Sequence, residues 1–220
     1  MLNFVLFLLF GFGIFSLSLI GYKNYRSTTL YALAIGGVVN ANFFHASAYP
    51  INCFGLPFGI DSIIYTLFAF CTLVMLLKEN KKSAYLLAFS SIIAILFSAA
   101  MQLFADLFSQ GTSKTAWMSF ISFCISIVAS IVAVLGTVEV VDRFKTRLNQ
   151  YLCMAVGIII IMLLNSGIYY PLSIIVNGVT DNMGELLITS FVGRLIAALY
   201  SILMLYFMNL IEKSIANKKS

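Results

Sequence analysis

The residues with chemically useful side chains are amides and ionisable groups placed inside long apolar stretches. They are Asn40, Asn42, His45, Asp61, Gln102, Asp106, Glu139, Asn165, Tyr169 and Arg194. Polar groups inside a membrane are costly, so they usually face a bundle interior or a water-filled cavity. Gln102 with Asp106, and Asn165 with Tyr169, are four positions apart, so each pair shares one helix face. Such faces would offer hydrogen bonds to a small bound solute.

The motifs of the common soluble enzymes are missing. The sequence has no G-x-x-x-x-G-K-[ST], no H-E-x-x-H and no G-x-S-x-G, which bind phosphates, hold catalytic zinc or place a serine nucleophile. A single histidine is too few for a histidine-based metal site. Asp61 and Asp106 form the one candidate pair for an intramembrane aspartyl hydrolase. We therefore predict that the protein is not an enzyme and uses no metal and no cofactor.

The composition indicates a protein embedded in a membrane. Of 220 residues, 61% are hydrophobic and 10% are charged, and the mean hydropathy is +1.02. A soluble domain carries about 25% charged residues, so soluble enzymes, nucleic-acid readers and disordered chains are excluded. The four cysteines have no metal-site or disulfide spacing, and we interpret those in apolar stretches as small buried hydrophobes.

Seven stretches are long enough to cross a bilayer, which needs about 20 apolar residues. They run over residues 2–20, 28–47, 58–77, 84–108, 117–141, 152–176 and 185–211. They use nearly the whole chain, so residues 1–220 are predicted to form one all-α, multi-pass domain in the cell membrane. No segment is left for a separate soluble domain.

The basic residues predict how this bundle is oriented. Of the 13 Lys and Arg, all but Lys114 and Arg194 lie after the first, third, fifth or seventh stretch. Lys and Arg concentrate in cytoplasmic loops, so the amino terminus is predicted outside and the carboxyl terminus in the cytoplasm. The net charge of +5 then reflects topology and anionic lipid, and no nucleic-acid partner is expected.

Three segments break the apolar pattern. The uncharged loop 49–59, rich in Pro, Gly and aromatic residues, is either a lid or re-entrant element or a tight outer turn. Gly36-Gly37 and Pro171 are helix interrupters of a kind that transporters use to expose backbone groups. Ordinary membrane helices also carry Gly and Pro, so both interpretations remain open.

The depth of the polar residues predicts a binding cavity in the outer half of the bundle. Its lining is predicted to be Asn40 or Asn42, Asp61, Gln102, Asn165, Tyr169 and Arg194. Arg194 lies roughly 14 Å into the last stretch, near the middle of the hydrocarbon core. Glu139 is near the cytoplasmic end, where an i,i+4 pair with Arg143 explains it. Each amide is equally well interpreted as a residue that forms hydrogen bonds between helices.

Parts of the sequence resemble the vitamin and queuosine-precursor uptake transporter family, the VUT family. The segment 187–200 with Leu205-Tyr206 resembles the family's final helix, and Arg194 occupies its basic position, normally Lys. Residues 140–147 resemble the cytoplasmic turn after its mid-chain helix, and Asn40-Ala-Asn42 is similar to its first solute-facing region. The Pro of the family's final helix is absent here. The resemblance implies uptake of a purine-like precursor or a vitamin.

Three functions follow as expectations. The first is uptake of a small polar or heterocyclic solute by a monomer or homo-oligomer. The second is a membrane-embedded substrate-binding subunit of a larger importer, which requires an energising membrane partner. The third is a seven-helix sensory or receptor module, if a signalling domain follows Ser220.

Overall fold

The computed structural model describes residues 2–46, 51–53, 56–58, 60–108, 113–177 and 183–217. These residues form seven helices and one two-stranded hairpin. The helices are α1 Leu2–Tyr25, α2 Ser27–Ala46, α3 Ile60–Lys78, α4 Lys81–Phe108, α5 Ser113–Phe144, α6 Gln150–Asn177 and α7 Met183–Asn217. Each predicted stretch coincides with one helix, so the helical bundle is confirmed.

Three helices are long and apolar enough to cross a membrane. The qualifying stretches are Lys81–Ala105, Cys124–Phe144 and Gln150–Tyr169, with mean hydropathies of 2.1, 2.4 and 2.2. The stretch Ile64–Lys78 is apolar but shorter. The other predicted spans, 2–20, 28–47 and 185–211, each include residues whose side chains lie outside the described part of the structure.

The short turns after α1, α3 and α5 and the last turns of α7 lie together at one end, which we call the basic end. Ion pairs join these segments: Arg26 to Glu212, Lys78 to Glu212 and Lys81 to Glu139. The side-chain oxygen of Asn80 accepts the Ser83 backbone N–H at 2.8 Å, a cap that starts α4. The predicted grouping of the basic segments at one end is therefore observed.

Helix α3 is the centre of the bundle and packs against all six other helices. Every side chain from Leu67 to Leu76 is buried. The outer helices instead expose apolar side chains, as Ile93 and Phe97 do at 67% and 69%. In water such exposure would favour association, whereas in a bilayer it is the expected lipid-facing surface.

The predicted helix interruptions are not present. Helix α2 runs unbroken through Gly36 and Gly37, and α6 contains Pro171 without ending there. Gly37 instead permits close packing, because a Cβ added to it would lie 3.2 Å from Ile64 Cγ2 on α3. Because Gly37 has no side chain, α2 and α3 can approach closely, as small residues allow between membrane helices.

A β-hairpin replaces part of the predicted loop 49–59. Its strands are β1 Ile51–Cys53 and β2 Leu56–Phe58, paired antiparallel with Ile51 opposite Phe58. Strand β1 contacts α1 and strand β2 contacts α7. The segment therefore reaches from the α2–α3 connection to two other helices, and every other described element is an α-helix.

Candidate functional site

Contacts between helices set the level of each residue along the bundle. Gly157 of α6 lies against Leu73 of α3, because a Cβ on the glycine would be 2.8 Å from Leu73 Cδ1. Asp61 is twelve residues before Leu73 and Tyr169 is twelve residues after Gly157. The helices are antiparallel and rise 1.5 Å per residue, so the backbones of Asp61 and Tyr169 lie at one level.

The same reasoning places Arg194 level with Asn165. Asn209 of α7 donates to the Tyr151 hydroxyl of α6 at 2.8 Å. Arg194 is fifteen residues before Asn209, and Asn165 is fourteen residues after Tyr151. Both backbone positions are therefore about 20 Å from the basic end. Two predicted site positions on neighbouring helices share a level.

Asn40 lies at a similar level but is bonded to its own helix. It is three residues beyond Gly37, while Asp61 is three residues before Ile64, the contact of Gly37. The Asn40 side chain is exposed, and its Nδ2 donates to the Gly36 carbonyl at 2.8 Å. The amide is thus satisfied within α2.

Gln102 lies farther out than Asn165. The Tyr85 hydroxyl of α4 donates to Glu139 of α5, and Gln102 is seventeen residues beyond Tyr85. Leu164, next to Asn165, lies against Gly136, three residues before Glu139. Gln102 is therefore about 25 Å from the level of the Tyr85–Glu139 bond, compared with about 20 Å from the Asn209–Tyr151 bond for Asn165.

Some predicted site side chains fall outside the described residues. These are the side chains of Asn42, His45, Asp61, Asp106 and Arg194, whose backbones belong to α2, α3, α4 and α7. Tyr169 is half-buried and makes an interaction.

Asn165 has a buried carbonyl oxygen without a partner. Its Oδ1 is inaccessible to solvent and accepts no hydrogen bond, although the residue as a whole is only half-buried. Three serine hydroxyls share this condition, at Ser91, Ser98 and Ser130. A serine hydroxyl in a helix can rotate to its own helix carbonyl, whereas an amide oxygen needs a donor from elsewhere. A buried acceptor without a hydrogen bond costs about 1–3 kcal/mol. A hydrogen bond from a bound donor to Asn165 Oδ1 would therefore contribute more free energy than one to an acceptor that already has a partner.

At the basic end, four helices share a polar network that the sequence analysis missed. Lys78 Nζ donates to Glu212 Oε2 at 2.6 Å and to Asn209 Oδ1. Glu212 Oε1 accepts the Tyr22 hydroxyl at 2.6 Å and lies 3.7 Å from Arg26 Nη1. The network therefore ties α7 to α1 and α3, and the Asn209–Tyr151 bond extends it to α6. We call this set the basic-end network.

The sequence signals for this network are weak. Lys78 is also explained as a topology determinant, and Glu212 lies one residue past the last predicted span. Asn209 is inside that span, three residues before Glu212, so the two share a helix face. A polar pair at i,i+3 in an apolar helix is the sequence feature that indicates such a network.

Burial and charge shape the titration of the network. Burial and the neighbouring Glu212 carboxylate raise the pKa of Tyr22 to about 12. Burial alone would raise the pKa of Glu212, but the hydrogen bonds from Lys78 and Tyr22 and the charges of Lys78 and Arg26 outweigh it and lower that pKa. At neutral pH the tyrosine is therefore a hydroxyl donor and the glutamate a charged acceptor.

A second ionic cluster corrects the interpretation of Glu139. Its carboxylate lies 2.8 Å from Lys81 Nζ and accepts the Tyr85 hydroxyl, so its main partners are on α4. Asp142 pairs with Lys145 at 2.7 Å and lies 3.8 Å from Lys81. The predicted i,i+4 pair with Arg143 is thus secondary to a bridge between helices α4 and α5.

The lowered pKa of Glu212 leads to an expected pH dependence. The unfolded chain binds this proton more tightly than the folded protein does, so stability rises where the carboxylate is charged. The contribution is complete above the ordinary value of 4.5 and is lost as pH falls from there through the folded pKa. Thermal unfolding of the native protein and Glu212→Gln between pH 7 and 3.5 should give curves that converge at low pH. Parallel curves would contradict this assignment.

Comparison with protein-family models, curated proteins and solved structures finds no match for this chain.

Proposed function

We propose that this protein is a multi-pass cell-membrane transporter that takes up a small polar or heterocyclic solute. All seven helices cross the bilayer, with the amino terminus outside and the basic end in the cytoplasm. The apolar helices and the grouping of Lys and Arg at one end support this orientation.

The observation that carries the proposal is the unpartnered amide oxygen of Asn165. A buried acceptor at mid-depth without a partner costs about 1–3 kcal/mol of stability. A solute N–H or O–H would donate to this oxygen. The cost of the unpaired acceptor would then be recovered as binding free energy. Asn165 is therefore better suited to binding a solute than to holding helices together, since an amide that joins helices is hydrogen-bonded to a neighbouring helix.

The site is centred on Asn165 and Tyr169, which share one face of α6. The backbones of Asp61 on α3 and Arg194 on α7 reach similar levels, and both helices pack against α6. A guanidinium at this level would hydrogen-bond a carbonyl and stack on a planar ring. Gln102 lies farther along the bundle than Asn165, towards its outer end.

Queuosine precursors and vitamins are the first solutes to test, because of the resemblance to the VUT family. These compounds carry ring nitrogens and exocyclic amino groups, which match an amide acceptor. The proposal covers a wider class of uncharged hydrogen-bonding heterocycles as well.

We expect Asn165→Leu to weaken solute binding by roughly 10–100-fold, because one buried hydrogen bond of about 1–3 kcal/mol is lost. The same substitution should leave the melting temperature unchanged or raise it, since it removes an unpartnered polar atom. Uptake of labelled solutes into proteoliposomes and binding to purified protein measure the first effect. Leu163→Ala, a lipid-facing position on α6 with 61% exposure, is the matched control.

The outcomes separate the candidate functions. Absence of binding and uptake across a broad panel would reject the transport proposal. Binding without uptake by the purified chain would instead favour the importer subunit, and co-purification with an energising membrane protein would then be expected.

A further inference from the structure

Described ion pairs occur at one end of the bundle only. Arg26, Lys78, Lys81, Lys145 and their acidic partners all belong to the basic end, in the part of the chain that the structure describes. The level of Asn165 is about 20 Å away from the basic-end network. A solute released from that level into the cytoplasm must pass this closed region.

The space between the two levels is filled by buried side chains of three helices. Leu73 and Val74 of α3, Met154 and Ile158 of α6, and Met204 of α7 are each no more than 2% exposed. Passage therefore requires the helices to separate rather than a pore to widen.

Helix α7 is the one that the basic-end network holds in place. It contributes both Asn209 and Glu212, while the partners come from α1, α3 and α6. The second ionic cluster joins α4 to α5 and does not involve α7. Breaking the contacts of Glu212 thus removes the polar ties of α7 to α1 and one of its two polar ties to α3, and leaves α4 and α5 joined.

The partial exposure of the network suits a reversible contact. The Glu212 side chain is 30% exposed and that of Lys78 is 15% exposed. Water can replace the lost partners when the helices part, so separation avoids the full desolvation penalty of buried charges. A fully buried pair would be far harder to open.

We propose that the basic-end network is the cytoplasmic gate, and that α7 swings away from α1 and α3 to release solute. This inference rests on the proposed transport function. Glu212 is the latch residue, because it is the common acceptor of Lys78, Tyr22 and Arg26.

Cys71 provides a test that needs no solute. It is fully buried on α3 and unpaired. It lies seven residues before Lys78, so it is on the same face about 10 Å deeper in the bundle. In the full-length chain with the other three cysteines replaced by alanine, a membrane-impermeant maleimide reports whether the basic end admits reagent to Cys71.

We expect Glu212→Gln to raise the labelling rate of Cys71 at least about tenfold in vesicles with the basic end outward, since charge-assisted hydrogen bonds to the latch are weakened. Glu139→Gln breaks a 2.8 Å ion pair at the same end but should leave labelling unchanged. Labelling from the opposite side should not rise in either variant.

Each outcome of the labelling experiment either supports or contradicts the gate. Unchanged labelling in a folded Glu212→Gln protein overturns the gate, and so does an equal rise from both sides, which indicates general loosening. If Glu212→Gln does not fold, Tyr22→Phe removes a single hydrogen bond to the same carboxylate and is read by the same criterion. Labelling that rises only from the basic end, in a protein that transports nothing from the panel, would show that this end opens at Glu212 and would reject the transport function, so the two failures are distinguishable.

Discussion

Gly157→Leu is expected to destabilise the protein by about 3 kcal/mol or more, because α6 meets α3 and α5 at this glycine without room for a side chain. A Cβ alone would lie 2.8 and 3.0 Å from the two Leu73 methyl groups and 3.2 Å from Val141 Cγ2. Leu73 is fully buried and Val141 is 2% exposed, so neither can move aside. Overpacking a filled core costs about 1–3 kcal/mol, and leucine adds three carbons beyond the Cβ.

The matched control is Gly167→Leu on the same helix. Gly167 is exposed, and a Cβ added there would meet nothing within 4 Å. Thermal unfolding in detergent should therefore show a melting temperature lowered by roughly 6–12 °C for Gly157→Leu and nearly unchanged for Gly167→Leu. Equal shifts for the two variants would mean that α6 does not approach α3 as closely as described.

This glycine also matters for function, because it sets the register of α6 against α3. The contact between Leu73 and Gly157 is what brings Tyr169 level with Asp61. If a side chain pushed the helices apart, the site face of α6 would shift relative to its neighbours. A partly folded Gly157 variant should therefore lose solute binding more than its loss of stability alone accounts for.

The sequence was sufficient to predict the helices and their shared basic end. Apolar length defined each helix, and alternation of Lys and Arg indicated which turns lie together, because both signals depend on local composition. These predictions needed no knowledge of which helix touches which.

What the sequence could not predict depends on contacts between distant segments. Lys78 and Glu212 are 134 positions apart, and nothing local marks them as partners. Pro57 has no N–H and disfavours a strand, yet it lies in a short two-stranded element where the missing N–H is tolerated. Glu139 had a local partner in Arg143, but packing of α4 against α5 placed Lys81 closer.

The second large effect is expected at Lys78. Lys78→Met removes the principal positive partner of Glu212 and leaves Asn209, which is 8% exposed, without its donor. Removing one member of a buried ion pair costs about 3–5 kcal/mol. Glu212 is 30% exposed and retains Tyr22 and Arg26, so we expect a smaller loss, about 2–4 kcal/mol.

Adding Glu212→Gln to Lys78→Met should recover part of this loss. The double variant carries no uncompensated carboxylate, and the glutamine oxygen still accepts the Tyr22 hydroxyl. The two substitutions are therefore expected to be non-additive, as directly interacting residues are. Lys82→Met, at an exposed lysine of the same end, should change the melting temperature little. If Lys78→Met were as mild as Lys82→Met, the Lys78–Glu212 pair would contribute no stability, which would also remove the physical basis for a latch at Glu212.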